Sequence, residues 1–331
     1  MKHYAMLLLL LTLAVTGCKN TQKATETADI PAVGPAFCAD SAYVYCMKQC
    51  DFGPRVMNSK AHDDCRDWIV EKFKSYGCTV TLQQAAIKGY DGTMLQASNI
   101  IASIYPERTQ RVMLCAHYDS RPWADNDPDE ANHHTPVMAA NDGASGVAVM
   151  LEVARLLQEA DSAKVGVDFI CFDAEDYGTP QWYDGDVVID DPWALGSQYW
   201  AQSVADAGYK YKPRYGVLLD MVGGENAVFY RERTSLRHCK SLVEAICHAA
   251  SVAGCGHRFP RQDGGFITDD HVPVNEIAHI PCADIIPYFP QCEASSFGTT
   301  WHTISDTMEH ISRETLSAVG QTLIQLIYSE Q

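Results

Sequence analysis

The sequence predicts a single-domain α/β protein in which a central, mixed and twisted β-sheet is flanked by helices. Three observations carry this: short apolar runs of strand length alternate with segments of helical periodicity from residue 36 onward, no internal repeat breaks the order, and no linker separates two cores. A chain of 331 residues suffices for one large core of this kind.

At the N-terminus, Lys2 and His3 precede the apolar run Met6 to Val15, which ends at Val15-Thr16-Gly17-Cys18. The run has the length of a signal-peptide core and is too short to span a bilayer as a permanent helix. Its end resembles a bacterial lipoprotein cleavage site. That implies a signal peptide over 1–17, a tether over 18–35 that opens on a lipidated Cys18, and a folded domain over 36–331. The chain is then expected to be exported and held to a bacterial membrane, on the periplasmic side or at the cell surface, by its lipid anchor only. An ordinary secretory signal ahead of a chance cysteine is the alternative.

Helical spacing covers Ala39 to Lys48 and His62 to Tyr76, the second carrying Trp68, Ile69, Phe73 and Tyr76 and stopping at Gly77. Strands are predicted over Cys78 to Ala86, Ser98 to Tyr105 and Arg111 to Cys115, the last two joined by the turn Pro106-Glu107-Arg108. A polar loop, Ser120 to Val137, leads to Asn141-Asp142-Gly143, and a helix follows from Ser145 to Glu159. Val165 to Phe172 is apolar but for one Asp, as suits a strand covered on both faces, and it delivers Asp173, Glu175 and Asp176. Beyond the loop Gly178 to Asp191 come a helix over Gly196 to Ala207 and a buried strand over Tyr215 to Leu219 that ends in Asp220. The remainder reads as a helix over Leu236 to Ala253, a polar corner over Thr268 to Pro273, a short strand over Ala283 to Ile286, a loop bearing Trp301-His302-Thr303, and a closing helix over Ser312 to Tyr328.

The net charge of −17 speaks against nucleic acid and anionic lipid surfaces as partners and favours neutral or cationic ligands. With Cys18 set apart, twelve of the thirteen cysteines remain, and they show no repeated C-x-x-C metal spacing. Cys115 and Cys171, inside apolar strands, are expected as buried thiols. In an exported protein the other ten, from Cys38 to Cys292, are disulfide candidates with pairing open.

Successive strand ends carry His117, then Glu175 with Asp176, then Asp220, and Asp142 stands at a helix start. Open α/β sheets bind ligands outside the carboxyl ends of their strands, so these groups are expected to converge. Taken singly, each is better read as a surface or capping group than as a catalytic one, Asp142 in particular as a helix cap; the recurrence at successive strand ends is what points to a site. Nitrogen and oxygen donors without thiolate suit a catalytic zinc, with Asp142, Asp176 and His302 as ligands and Glu175 free to move protons.

The segments A-H-Y-D-S at 116–120, N-D-G-A-S-G-V at 141–147, F-D-A-E-D at 172–176, L-D-M-V-G at 219–223 and W-H-T at 301–303 together resemble the zinc-dependent M28 aminopeptidase family, in family order. The resemblance implies five metal ligands at His117, Asp142, Asp176, Asp220 and His302, with Glu175 as general base. Asp176 stands where a Glu ligand is common. Two activities divide this fold: aminopeptidases that use two zinc ions, and animal-type glutaminyl cyclases that use one. Five filled ligand positions and the wording Asn141 to Gly146 resemble the peptidases. The segments I-T-D-D-H-V-P-V at 267–274 and S-S-F-G-T-T-W-H-T at 295–303, with Leu195-Gly196-Ser197, resemble the cyclases instead.

In the cyclase comparison Phe297 and Trp301 form the apolar wall of the substrate pocket and Trp182 guards its entrance. Asp270 is hydrogen-bonded to Asp220 beside Glu175, and Asp269 joins the substrate-binding set. The expected activity is therefore a one-zinc glutaminyl-peptide cyclotransferase that converts an N-terminal Gln to pyroglutamate and releases ammonia. Its expected partners are peptides or proteins with N-terminal Gln, and the chain is expected to be a monomer. A two-zinc aminopeptidase is the alternative. A binding module that has lost catalysis is disfavoured, since the base and the ligands are all present. His133, His134, His271, His279 and His310 receive no role.

Overall fold

The computed structural model describes residues 31–160 and 162–331. The expected signal peptide and the lipidation site Cys18 lie outside the described residues. Six strands, β1 (Thr79–Lys88), β2 (Met94–Ile104), β3 (Arg111–His117), β4 (Gly166–Phe172), β5 (Gly216–Leu219) and β6 (Cys282–Ile285), form one sheet in the order β1-β2-β4-β3-β5-β6. The pairs β4/β3, β3/β5 and β5/β6 are parallel, while β1/β2 and β2/β4 are antiparallel. The predicted mixed sheet is thus a parallel group with an antiparallel hairpin at one edge. Its helices are α1 (Ala39–Cys50), α2 (Lys60–Ser75), α3 (Ala144–Ala160), α4 (Leu195–Ala207), α5 (Arg233–Val252), α6 (His271–Glu276) and α7 (Arg313–Tyr328).

Strand β3 is the centre. Leu114 lies opposite Phe169 of β4 on one side and Val217 of β5 on the other, and every residue of β3 and β4 is buried. Strand side chains alternate between faces. Val112, Leu114 and Ala116 accordingly pack with α1, α2, α3, α5 and α7, while Met113 and Cys115 pack with Trp200 of α4 and Val274 of α6. The one Asp of β4, Asp168, is tolerated because Arg111 of β3 grips it with Nε at 2.9 Å and a terminal nitrogen at 2.6 Å. The starts of β3 and β4 are therefore tied to each other by charge, away from their carboxyl ends.

Three boundaries differ from expectation. Strand β2 begins at Met94 rather than Ser98, because Met94 to Ala97 alternates exposed and buried against β1, a run too short to stand out in sequence. The polar corner contains the short helix α6, with Pro273 in its first turn, where a missing N–H costs nothing. Helix α5 starts at Arg233, its N–H groups at Thr234 and Ser235 capped by Glu232, and it kinks at Cys239. The twelve described cysteines are all free, and eight of them, the two strand thiols included, are buried.

Candidate active site

Helix α3 meets the sheet without a spacer. A Cβ at Gly146 would lie 2.2 Å from the carbonyl oxygen of Leu219 and 2.8 Å from Ala116 Cβ, so only glycine lets the helix start rest on the ends of β3 and β5. Gly143, at φ +106°, makes the preceding turn against the Asp119 carbonyl. Asp142 is thereby carried to the sheet edge. Its N–H and that of Asn141 donate to Asp306 at 3.0 and 2.8 Å, while Asn141 Oδ1 accepts from Gly223 N and Ser145 Oγ from Val222 N. The loop behind Asp220 and the start of α3 are one hydrogen-bonded unit.

After β4 the chain sorts its acids. Asp173 turns inward, where it accepts from His62 Nε2 at 2.8 Å, Tyr118 Oη at 2.8 Å and Ser98 N at 2.6 Å, and it is structural. Ala174 then takes φ +52°, and the N–H groups of Glu175 and Asp176 both donate to the Asp119 carboxylate at 3.1 Å. Glu175 and Asp176 are aimed by this clamp.

The converging groups meet as two triads, His117–Asp142–Asp220 and Asp142–Asp176–His302, each with its ligand atoms within 4.8 Å of one another. Asp142 belongs to both: Oδ1 lies 3.0 Å from His117 Nε2 and Oδ2 lies 3.7 Å from His302 Nε2. His117 Nε2 also lies 3.3 Å from Asp220, and His302 Nε2 lies 3.3 Å from Asp176. The far nitrogens face further carboxylates, His302 Nδ1 at 3.5 Å from Asp125 and His117 Nδ1 at 3.5 Å from Asp119, the arrangement that orients metal-ligating imidazoles. Asp176 Oδ2 is buried without a partner. An orphaned carboxylate oxygen amid nitrogen and oxygen donors and surplus negative charge fits a divalent cation.

The electrostatics agree. Burial pushes the Asp220 carboxyl up to about 6, helped by Asp142 and opposed by His117. Burial and Asp220 push Asp269 up to about 7. Glu175 is raised well above the usual carboxylate range by burial and by Asp176, Asp269 and Asp270, against the pull of His117 3.9 Å away. Burial would raise Asp142 as well, but the His117 hydrogen bond holds it below its ordinary value.

A cavity of about 190 Å³ opens on these groups, and Glu175, Asp269, Phe297, Trp301 and His302 are among its lining. Trp301 stacks on His302 with centroids 3.8 Å apart, and Phe297 lies 5.0 Å from Trp301. Trp182 lies apart from this lining, 40% exposed and edge-on to Trp123. The tryptophan that does line it is Trp193, nearly parallel to His302 at 6.2 Å. Of the acid pair, Asp269 lines the cavity, whereas Asp270 is fully buried and makes no hydrogen bond to Asp220, contrary to expectation.

Trp193 itself was not legible, although Pro192-Trp193-Ala194 directly precedes the Leu195-Gly196-Ser197 match. Nor was Arg121. This buried guanidinium grips Asp125 at 2.6 and 2.7 Å, reaches Asp176 Oδ1 at 3.3 Å and faces the Trp193 ring at 4.8 Å. Its one signal was an arginine directly after A-H-Y-D-S.

Residues 99–327 match the model of peptidase family M28. Among solved structures, a Bacteroides thetaiotaomicron glutaminyl cyclase is 49% identical with a TM-score of 0.86, covering 90% of this chain and 100% of that one. A protein of the same organism described as a leucine aminopeptidase precursor is 48% identical with a TM-score of 0.85, over 91% and 100% of the two chains. Among curated relatives, aminopeptidase YwaD of Bacillus subtilis is 30% identical over 261 residues, which span 77% of this chain and 50% of that protein. The chain therefore covers about half the length of that relative. Ordered motifs, sheet topology and the twin carboxylate–histidine triads all agree with the match, and the chain belongs to peptidase family M28.

Proposed function

We propose that this chain is a zinc-dependent glutaminyl-peptide cyclotransferase, acting on peptides or proteins with N-terminal Gln. The observation that carries the proposal is the small cavity in which Phe297 and Trp301 wall the space beside Glu175 while Asp269 adds an acid next to Asp220. At about 190 Å³ it is of the size for one N-terminal side chain and its amine, with Glu175 beside them. The glutaminyl cyclase similarity over the full length of that chain supports it.

Asp142, Asp176 and His302 would hold the zinc, which when bound supplies Lewis-acid polarisation of the γ-amide carbonyl. Glu175 takes a proton from the substrate's α-amine. The amine nitrogen bonds to Cδ, the Cδ–Nε bond breaks, and the proton carried by Glu175 leaves with ammonia. Its raised pKa suits a carboxyl that must both accept and return a proton. Trp301 and Phe297 hold the glutamine side chain folded toward its own amine, which is most of what a five-membered ring closure requires.

One observation favours a second reading. The His117–Asp142–Asp220 triad is as well assembled as the first, and a second zinc there would suit an aminopeptidase. Purified, zinc-loaded protein incubated with a Gln-initiated and a Leu-initiated peptide decides: ammonia loss from the first supports the cyclase, release of leucine from the second the peptidase. Export and membrane attachment through lipidated Cys18 complete the proposal, supported by the charged start and the apolar run ahead of that cysteine. Incorporation of a labelled fatty acid that Cys18→Ser fails to abolish would refute the anchor.

A further inference from the structure

Phe297 has a second face. Behind it lies a larger cavity of about 320 Å³, lined by Ala227, Pro287, Phe289 and Phe297, with Glu225 and His310 among its polar groups. Phe297 lines both cavities, and Asn141, beside the ligand Asp142, also borders the second, so the two are neighbours across the Phe297 side chain. We infer that this cavity is the subsite for the residue that follows the N-terminal glutamine, and that Glu225 selects a long cationic side chain there.

The inference rests on the cyclase reading and deepens it. In the cyclase reading the catalytic cavity takes the glutamine side chain, and the rest of the peptide leaves past Phe297 or into solvent. The second cavity is preformed along that exit. Asn141 is held by Gly223 N at 2.9 Å, Phe289 N donates to Ser296 O at 2.7 Å, and Gly298, at φ +105°, packs close against the Phe289 ring. Its apolar part suits a methylene stem. Glu225 is exposed and makes no ion pair among the described residues, so its carboxylate is available to an ammonium or guanidinium head. An acidic chain, net −17, reinforces the same choice.

The test compares kcat/KM of the zinc-loaded wild-type enzyme on glutamine amide, which has no second residue, and on Gln-Lys, Gln-Ala and Gln-Glu amides. The expected order is Lys, Ala, Glu. Glu225→Gln should lower the Lys-to-Glu preference by about threefold to fivefold, the range of an exposed ion pair, and Glu225→Lys should invert it. Thr299→Trp, at an exposed lining position, should slow the three dipeptide amides and leave glutamine amide unchanged. If glutamine amide is cyclised but the preference stays the same in both Glu225 variants, the subsite is wrong and the cyclase reading stands. If wild-type enzyme leaves glutamine amide intact, the cyclase reading falls and takes the subsite with it.

Discussion

The metal half of the site and the pocket half are built differently. His117 ends β3, Asp176 and Asp220 follow the ends of β4 and β5, all three strands are buried throughout, and Asp142 is clamped by Asp306 and Gly146 between them. Asp269, Phe297 and Trp301 sit on the segments before and after β6, where turns and single hydrogen bonds replace a ladder. The first half therefore holds these groups whether one reaction or another is performed, while His302, stacked on Trp301, reaches them from the loop after β6. The second can change its walls at little structural cost, and in the cyclase reading it is the half that shapes the substrate pocket. Such a division is how one fold hosts two chemistries.

The largest effect that would break this picture belongs to Glu175. Glu175→Gln should bind zinc normally and lose roughly 10²–10⁴-fold in turnover, the usual weight of a general base; measured together, metal content and kcat decide, and retained activity would remove Glu175 as the base. Next is the carboxylate shared by both triads. Asp142→Asn should lose bound metal and, with it, the rise in unfolding temperature that added zinc gives the wild type. Metal analysis of the wild type at one zinc per chain agrees with the cyclase reading, and two tightly held ions with the peptidase.

A strand-half substitution away from the chemistry should act on stability instead. Arg111→Met leaves Asp168 buried without its partner and should cost about 3–5 kcal/mol in urea unfolding, with residual activity per folded molecule unchanged.

A smaller change, at the N-cap of α5, acts through pH. Burial opposes ionisation of Glu232, but His271 and the N–H groups of Ser235 and Thr234 hold it down to about 2 from 4.5. A depressed carboxyl stabilises the fold above its unfolded pKa and loses that contribution as pH falls through the folded one. Glu232→Gln should therefore cost about 1–2 kcal/mol at neutral pH, in the range of a lost N-cap, and progressively less between about pH 4.5 and 2. A cost that is constant with pH would show that packing, not charge, is responsible. The smallest effect is expected at the rim: Trp182→Ala should change kcat/KM less than Trp193→Ala, because only Trp193 lines the catalytic cavity.

The sequence by itself determined the α/β architecture, because apolar periodicity encodes which faces are buried. It also indicated which acidic and imidazole groups meet, because strand ends of an open sheet point to one edge and the motifs that resemble family M28 add Asp142 and His302. His117, Asp142, Glu175, Asp176, Asp220 and His302 do converge. Only the tertiary structure decided which of two neighbours points inward. Asp173 went to His62 and Tyr118 while Glu175 and Asp176 went to the site, and Asp269 rather than Asp270 lines the cavity. Trp193 lines the cavity, and Trp182 stands apart from it. A single backbone dihedral, such as Ala174 at φ +52°, redirects a side chain by far more than its spacing in the chain reveals. Arg121 was hidden for the same reason: its partners Asp125, Asp176 and Trp193 come from three segments that meet only in the folded chain.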